Sequence, residues 1–176
     1  MGKICYASVE TPKTEILEVL VGADELTAGM IIVADSISAA IAGNFSVRTA
    51  TKPATANLGQ IMCLVLSGGN FKTLSDGRRP AGNPDYGTYA YKTGDIAPVL
   101  LLNMGNKVWM SNDTVSGVIA KDALLEPVNA SYVPTIVASR TTGTHSALKI
   151  MALKAQPFGG QFGGEFEAGF FAEVTL

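Results

Sequence analysis

The chain has 176 residues, of which 47% are hydrophobic and only 16% are charged, whereas charged residues make up about 25% of an average soluble domain. The net charge of −2 argues against nucleic-acid binding, which requires a broad basic surface. The apolar runs are too short for a membrane-spanning helix, and the apolar fraction is too high for a disordered chain. We therefore expect a single compact domain whose apolar surface is partly covered by other subunits, with neither nucleic-acid nor membrane partners.

Short β-branched segments separated by 19 glycines and eight prolines indicate an all-β fold, either a β-barrel or a sandwich. We expect at most one or two short helices. The predicted strands are Lys3–Val9, Met30–Ala34, Phe45–Ala50, Gln60–Leu66, Thr88–Tyr91, Ala97–Leu102, Lys107–Ser111, Val115–Ala120, Thr135–Ser139 and Ala147–Leu153.

Some segments are less clear. Thr11–Gly22 combines an N-cap, a first-turn proline and a glycine stop with strand-like alternation, so helix and strand both remain open. Ser36–Ala42 could form one or two helical turns. Val99–Met110 resembles a hairpin around Asn103–Asn106, because Gly and Asn tolerate the positive φ of tight turns. Asp76–Pro84 is polar and rich in Pro and Gly, which predicts an exposed loop.

The C-terminal segment is the most informative part of the sequence. From Phe158 to Leu176 every even position is apolar or glycine, and most odd positions are glycine or polar, which is the period of a β-strand. A straight strand of this length would span roughly 60 Å at ~3.3 Å per residue, and so would overhang a domain of this size. We expect residues 1–157 to form a β-rich domain. Residues 158–176 would then be a bent strand or hairpin within it, or an extended arm that contacts a neighbour.

Little in the sequence points to catalysis. The single histidine, His145, lies in a predicted turn, and no nucleophile elbow accompanies it. Cys5 and Cys63 lie far apart among apolar residues, so we expect two buried thiols rather than a disulfide or zinc site. The glycine-rich stretch Phe158–Gly164 lacks the lysine of a phosphate-binding loop. We predict no catalytic residue, no metal site and no cofactor.

Aromatic residues elsewhere allow a second interpretation. Trp109 alternates with polar neighbours, as a buried strand residue does. Tyr86, Tyr89 and Tyr91 follow the predicted Asp76–Pro84 loop and could stack on a sugar, although packing in the core and its rim is the simpler explanation.

Glycine turns followed by short strands recur in Leu26–Asp35, Tyr91–Leu100, Gly105–Ser111 and Ala147–Leu153. In this combination the chain resembles the small β-rich decoration proteins, also called cement or auxiliary proteins, that coat the capsids of tailed bacteriophages. The resemblance implies a non-enzymatic virion protein, made in the host cytoplasm, that binds the major capsid protein on the outer capsid surface. It also implies a homo-oligomer, often a trimer, and it carries over no catalytic residues.

On this hypothesis the phenylalanine-rich end is the candidate subunit interface. Five of the seven phenylalanines lie there, and we expect Phe171 on the face opposite the others: Phe158, Phe162, Phe166 and Phe170. The alternatives are another virion subunit, such as a coat or tail-tube protein, and a module that binds a glycan or a cell surface.

Overall fold

The computed structural model describes residues 3, 5–7, 15–34, 36–38, 47–54, 62–67, 90–140, 147–158 and 165–175. These residues form short strands, curled sheets and one 3₁₀ turn at Asn112–Thr114, with no α-helix among them, which confirms the all-β prediction. The strands are β1 (Cys5–Ala7), β2 (Ile16–Leu20), β3 (Leu26–Thr27), β4 (Ile31–Val33), β5 (Val47–Thr49), β6 (Met62–Val65), β7 (Ala90–Tyr91), β8 (Ile96–Leu101), β9 (Lys107–Ser111), β10 (Leu124–Glu126), β11 (Thr135–Val137), β12 (Ala147–Leu153), β13 (Gln156–Phe158), β14 (Glu165–Glu167) and β15 (Gly169–Thr175).

Six strands form an antiparallel sheet in the order β1-β9-β15-β12-β10-β11. The last strand of the chain, β15, lies between β9 and β12 and is therefore central. Its alternation follows the sequence pattern, because Phe170, Ala172 and Val174 are buried while Phe171 and Glu173 are only partly so. A truncation that removes β15 would take away the middle of this sheet.

Five strands form a second sheet in the order β4-β6-β8-β2-β5, in which only the β2–β5 pair is parallel. This sheet curls, and bridges between Val33 and Thr51 and between Ile37 and Arg48 join the segments that extend its two edge strands. Both backbone hydrogen bonds of the Val33–Thr51 bridge are formed, at 2.9 and 3.0 Å. The edges of the curled sheet are thus paired rather than left open.

The wall made by β4, β6 and β8 separates two apolar cores. Residues on its inner side, such as Ile32, Cys63 and Val99, pack inside the curled sheet. Residues that alternate with them, such as Leu64 and Leu100, pack against the six-stranded sheet. Both faces of the wall are therefore buried, which explains why β4 and β6 consist almost entirely of apolar residues.

Three turn glycines with positive φ each precede a strand: Gly29 (84°) comes before β4, Gly94 (88°) before β8 and Gly105 (82°) before β9. The turn at Asn103–Asn106 is present, but the hairpin predicted around it is wrong. β8 belongs to the curled sheet and β9 to the six-stranded sheet, so the turn carries the chain from one sheet to the other. Hydrogen bonds in both directions between the turn and Val174 hold it against β15.

Of the remaining sequence predictions, some agree with the structure, some are wrong, and some lie outside the described residues. The ambiguous Thr11–Gly22 segment contains strand β2, with alternation overriding the helix signals. Val115–Ala120 forms no strand and has one bridge, at Ser116, whereas β10 was not predicted. Asp76–Pro84 lies outside the described residues, as does most of Ser36–Ala42.

Candidate interaction site at the C-terminal hairpin

The C-terminal part of the chain forms a long antiparallel hairpin, in which β12 and β13 pair with β15 and β14. Leu153 pairs with Phe170 in the six-stranded sheet. The same register continues outward, where Gln156 pairs with Glu167 and Phe158 with Glu165 in a separate two-stranded sheet. Residues 156–158 and 165–167, here named the arm, therefore prolong β12 and β15 beyond the sheet. Of the two arrangements left open by the sequence, the pairing of β13 with β14 corresponds to the hairpin. Contact of this segment with a neighbour stays a prediction.

The pairing register of the arm continues that of β12 with β15. Gln156 lies opposite Glu167, Pro157 opposite Phe166 and Phe158 opposite Glu165. Both glutamates of the arm therefore belong to its returning strand.

The reversal of the chain also separates the phenylalanines that the sequence pattern placed together. Phe158 belongs to the outgoing strand, where it pairs with Glu165, whereas Phe166 belongs to the returning strand, where it pairs with Pro157. Phe170 is fully buried in the core of its own chain, and Phe171 is half-buried on the other side of the sheet. Phe162 lies outside the described residues. The interface role of these residues stays a prediction.

Trp109 packs and forms a hydrogen bond at the point where the arm leaves the sheet. It is fully buried, as predicted, but it lies on the side of β9 away from the core between the two sheets, in register with Phe171. Its indole Nε1–H donates to the carbonyl oxygen of Lys154 at 2.9 Å, and so reaches across β15 to β12. A side chain at Gly169 would overlap the indole ring, so this crossing requires glycine there.

An open cavity of about 290 Å³ lies at the foot of the arm. Its lining is mostly apolar and includes Ile119, Leu153 and Ala168, together with the polar residues Asn112 and Lys154. Leu153 is 55% exposed, and Val118, which precedes Ile119 in the chain, is 84% exposed. We name residues 112–123 and 147–155, the two stretches that contain most of these lining residues, the base. Among the described residues that line the cavity, Lys154 is the one with an ionisable side chain.

The charges of the base are nearly balanced, with one lysine in excess. It contains Lys121, Lys149 and Lys154 against Asp113 and Asp122, which gives a net charge of +1. Lys149 and Asp122 form an ion pair at 2.9 Å, and the hydrogen bond from Lys149 lowers the pKa of the Asp122 carboxyl. The arm contains Glu165 and Glu167 and no basic residue, so arm and base have opposite net charges.

The other candidate residues do not form a site within the described part of the chain. Cys5 and Cys63 are buried and free, which confirms the predicted buried thiols, and burial raises the pKa of Cys63 to about 12. Tyr91 is 4% exposed and donates its hydroxyl to the carbonyl of Leu66, so it faces the core and not a ligand. His145, Tyr86 and Tyr89 lie outside the described residues.

Sequence reasoning missed the base altogether. Its parts come from two separate stretches of the chain, and no local pattern shows that they meet; the only hint was the exposed-strand composition of Met151–Lys154. Neither a protein-family model nor a curated protein matches this sequence. In the described ranges no helix is long and apolar enough to cross a membrane, and no cluster of three or more potential metal ligands occurs.

Proposed function

We propose that this chain is a non-enzymatic structural protein of a bacteriophage virion, which binds the outer surface of the capsid and stabilises it through contacts between subunits. The observation that supports this most directly is the arm, a two-stranded extension that continues beyond the six-stranded sheet in unbroken register. An isolated two-stranded hairpin is marginal in water, and packing against another surface stabilises it.

The base adds to this argument because it couples the arm to the rest of the molecule. The arm continues β12 and the central strand β15, and Trp109 fixes the exit point. A contact made by the arm is thereby anchored in the sheet through backbone hydrogen bonds. Rigid attachment of this kind is what a protein that links capsid subunits requires.

The experiment is a capsid-binding assay with an arm-deleted variant, in which residues 156–167 are replaced by Asn-Gly between Ala155 and Ala168. Removing only the arm keeps β15, whereas a truncation at Phe158 would remove it. The register makes Ala155 and Ala168 opposite positions, and Asn-Gly suits a two-residue hairpin turn. Because the arm pairs with neither large sheet, we expect the variant to retain the thermal unfolding midpoint of the parent chain within a few degrees.

The parent chain and the variant are mixed with empty expanded capsids of the virus that encodes this protein, and the capsids are sedimented. We expect the parent chain to sediment with the capsids and to raise their disruption temperature, and the folded variant to do neither. Absence of capsid binding by the parent chain contradicts the proposal. Equal binding by the folded variant contradicts the role assigned to the arm.

A further inference from the structure

The turn that joins the two large sheets contains two buried polar atoms with no hydrogen-bond partner among the described residues. They are Nδ2 of Asn103 and Oδ1 of Asn106, and the Asn106 side chain is 0% exposed. We propose that these two atoms bind one ordered water molecule, which accepts a hydrogen bond from Nδ2 and donates one to Oδ1. This turn contacts the end of β15 opposite the arm, and the inference does not depend on the proposed function.

The hydrogen bonds of the turn bring the two asparagines together. The backbone N–H of Asn106 donates to the carbonyl oxygen of Asn103 at 3.0 Å. The carbonyl oxygen of Leu101 accepts from the N–H of Asn103 at 2.9 Å and from Nδ2 of Asn106 at 3.0 Å. The Asn106 amide therefore lies back along the turn, toward the residue that carries the other unpartnered atom.

The chemistry of the two atoms indicates which ligand they bind. Leu101 fixes the orientation of the Asn106 amide, because a rotated amide would place its oxygen against the carbonyl oxygen with no proton between them. The unpartnered atom of Asn106 is therefore an acceptor, while that of Asn103 is a donor. A cation suits only the acceptor and an anion only the donor, whereas a water molecule accepts and donates at once.

The rest of the turn does not compete for this position. Gly105 has no side chain, and Met104 is 62% exposed, so its side chain lies largely in solvent. The N–H of Gly105 and the carbonyl oxygen of Asn106 are both bonded to the backbone of Val174. Burying two amide atoms without a partner is unfavourable, and an internal water commonly supplies the partner in folded proteins.

A water molecule at this position stabilises the connection between the two sheets. Strand β8 belongs to the curled sheet and β9 to the six-stranded sheet. Asn106 bonds to the end of β8 through Leu101, and its backbone bonds to β15 through Val174. The water adds the side chain of Asn103 to this network, so both amides contribute to holding the turn in place.

The direct test is a high-resolution crystal structure of the full-length chain, in which ordered waters are resolved. We expect one water at about 2.7–3.2 Å from both Nδ2 of Asn103 and Oδ1 of Asn106. A direct hydrogen bond between the two side chains overturns the inference, and so does a water on only one of them or on neither.

A double-mutant cycle tests the same site in solution. Asn103→Ala and Asn106→Ala should each destabilise the chain, and their combined effect on the unfolding equilibrium constant should differ at least ~3-fold from the product of the single effects. The lost bond to Leu101 occurs in both halves of the cycle and therefore cancels. Independent effects of the two replacements overturn the shared site.

The control cycle combines Asn103→Ala with Asn112→Ala, an exposed asparagine at the other end of β9. These two replacements should act independently, because the whole length of β9 separates them. Urea-induced unfolding measures all the variants. The crystal structure needs no variant, so it decides the question even if the double variant does not fold.

Discussion

At the scale of single residues, Gly169 is a position that leaves no room for a side chain. The indole of Trp109 crosses β15 at this residue, and a Cβ there would overlap both the ring and the carbonyl oxygen of Met110. The indole then donates its hydrogen bond to Lys154 on the far strand. The exit of the arm therefore depends on one residue without a side chain and on one large aromatic residue beside it.

Replacing Gly169 with alanine should lower the free energy of unfolding by about 2 kcal/mol or more, because the ring and the backbone of β9 must both shift. The measurement is urea-induced unfolding followed by the fluorescence of Trp109, the only tryptophan. The matched control is Gly22→Ala, where nothing lies within 4 Å of the added Cβ, and where we expect a change within about 1 kcal/mol. Equal losses in the two variants would contradict this explanation.

At the scale of elements, β15 combines two roles. Its core-facing side fills the space between the sheets, and its outward continuation becomes one strand of the arm. The period of two found in the sequence describes both parts, because alternation continues along a strand whether or not the strand still lies in a sheet. The period could therefore predict the faces of β15 but not the hairpin that pairs Phe158 with Glu165.

The two phenylalanines of β15 lie on opposite faces of the strand, so their replacement should affect stability differently. Phe170→Ala should lower the free energy of unfolding by about 3–5 kcal/mol, because it leaves a cavity in a fully buried core. Phe171→Ala should lower it by only about 1–2 kcal/mol, because this side chain is half-buried on the other face. Denaturant unfolding of both variants measures the difference. The reverse order of stability would mean that the faces of β15 are assigned incorrectly.

The sequence predicted the elements better than their arrangement. β9 and β12 match the predicted strands residue for residue. Gly105, Asn106 and Asn112 mark the ends of β9. β10 was missed because three residues beside a proline show no period. The prediction of a Val99–Met110 hairpin was wrong for another reason. A tight turn fixes a change of chain direction, but it does not specify which sheet the next strand joins. The base could not be predicted, since residues 112–123 meet residues 147–155 only in the folded chain.

At the scale of the whole molecule, the shared wall of β4, β6 and β8 accounts for part of the unusual composition. A strand with both faces buried needs apolar residues at successive positions, and β6 is buried throughout. The low charged fraction thus reflects two cores built on one wall, in addition to any surface covered by partners. Each core holds one thiol: Cys5 lies between the sheets and Cys63 inside the curled sheet.

Ionisation of these two thiols makes the free energy of unfolding depend on pH, and the sign of this dependence follows from their pKa values. Burial raises the pKa of both in the folded chain, to about 12 for Cys63, whereas an unfolded thiol titrates near 9. Above pH 9 the unfolded chain loses these protons first, so the free energy of unfolding should fall as the pH rises toward 12, by about 1.4 kcal/mol per pH unit and thiol. Urea unfolding between pH 8 and pH 10 measures it.

The control for this prediction is the double variant Cys5→Ala with Cys63→Ala. It should be less stable than the parent chain at pH 8 because it lacks two buried side chains, but its stability should decline less steeply between pH 8 and pH 10. Only the slopes are compared, so the lower starting stability does not interfere. Parallel slopes would show that the thiols do not ionise on unfolding in this range.

The continuity of the arm with β12 and β15 also determines how the molecule responds to force. Tension on the arm runs along the axes of these two strands, and so loads the hydrogen bonds of β15 with β9 and of β12 with β10 in shear. Shear loads many hydrogen bonds at once, whereas peeling breaks them one after another. A protein held by this arm is therefore expected to resist pulling along the hairpin far better than pulling across it, and the direction of the load would decide whether the contact holds.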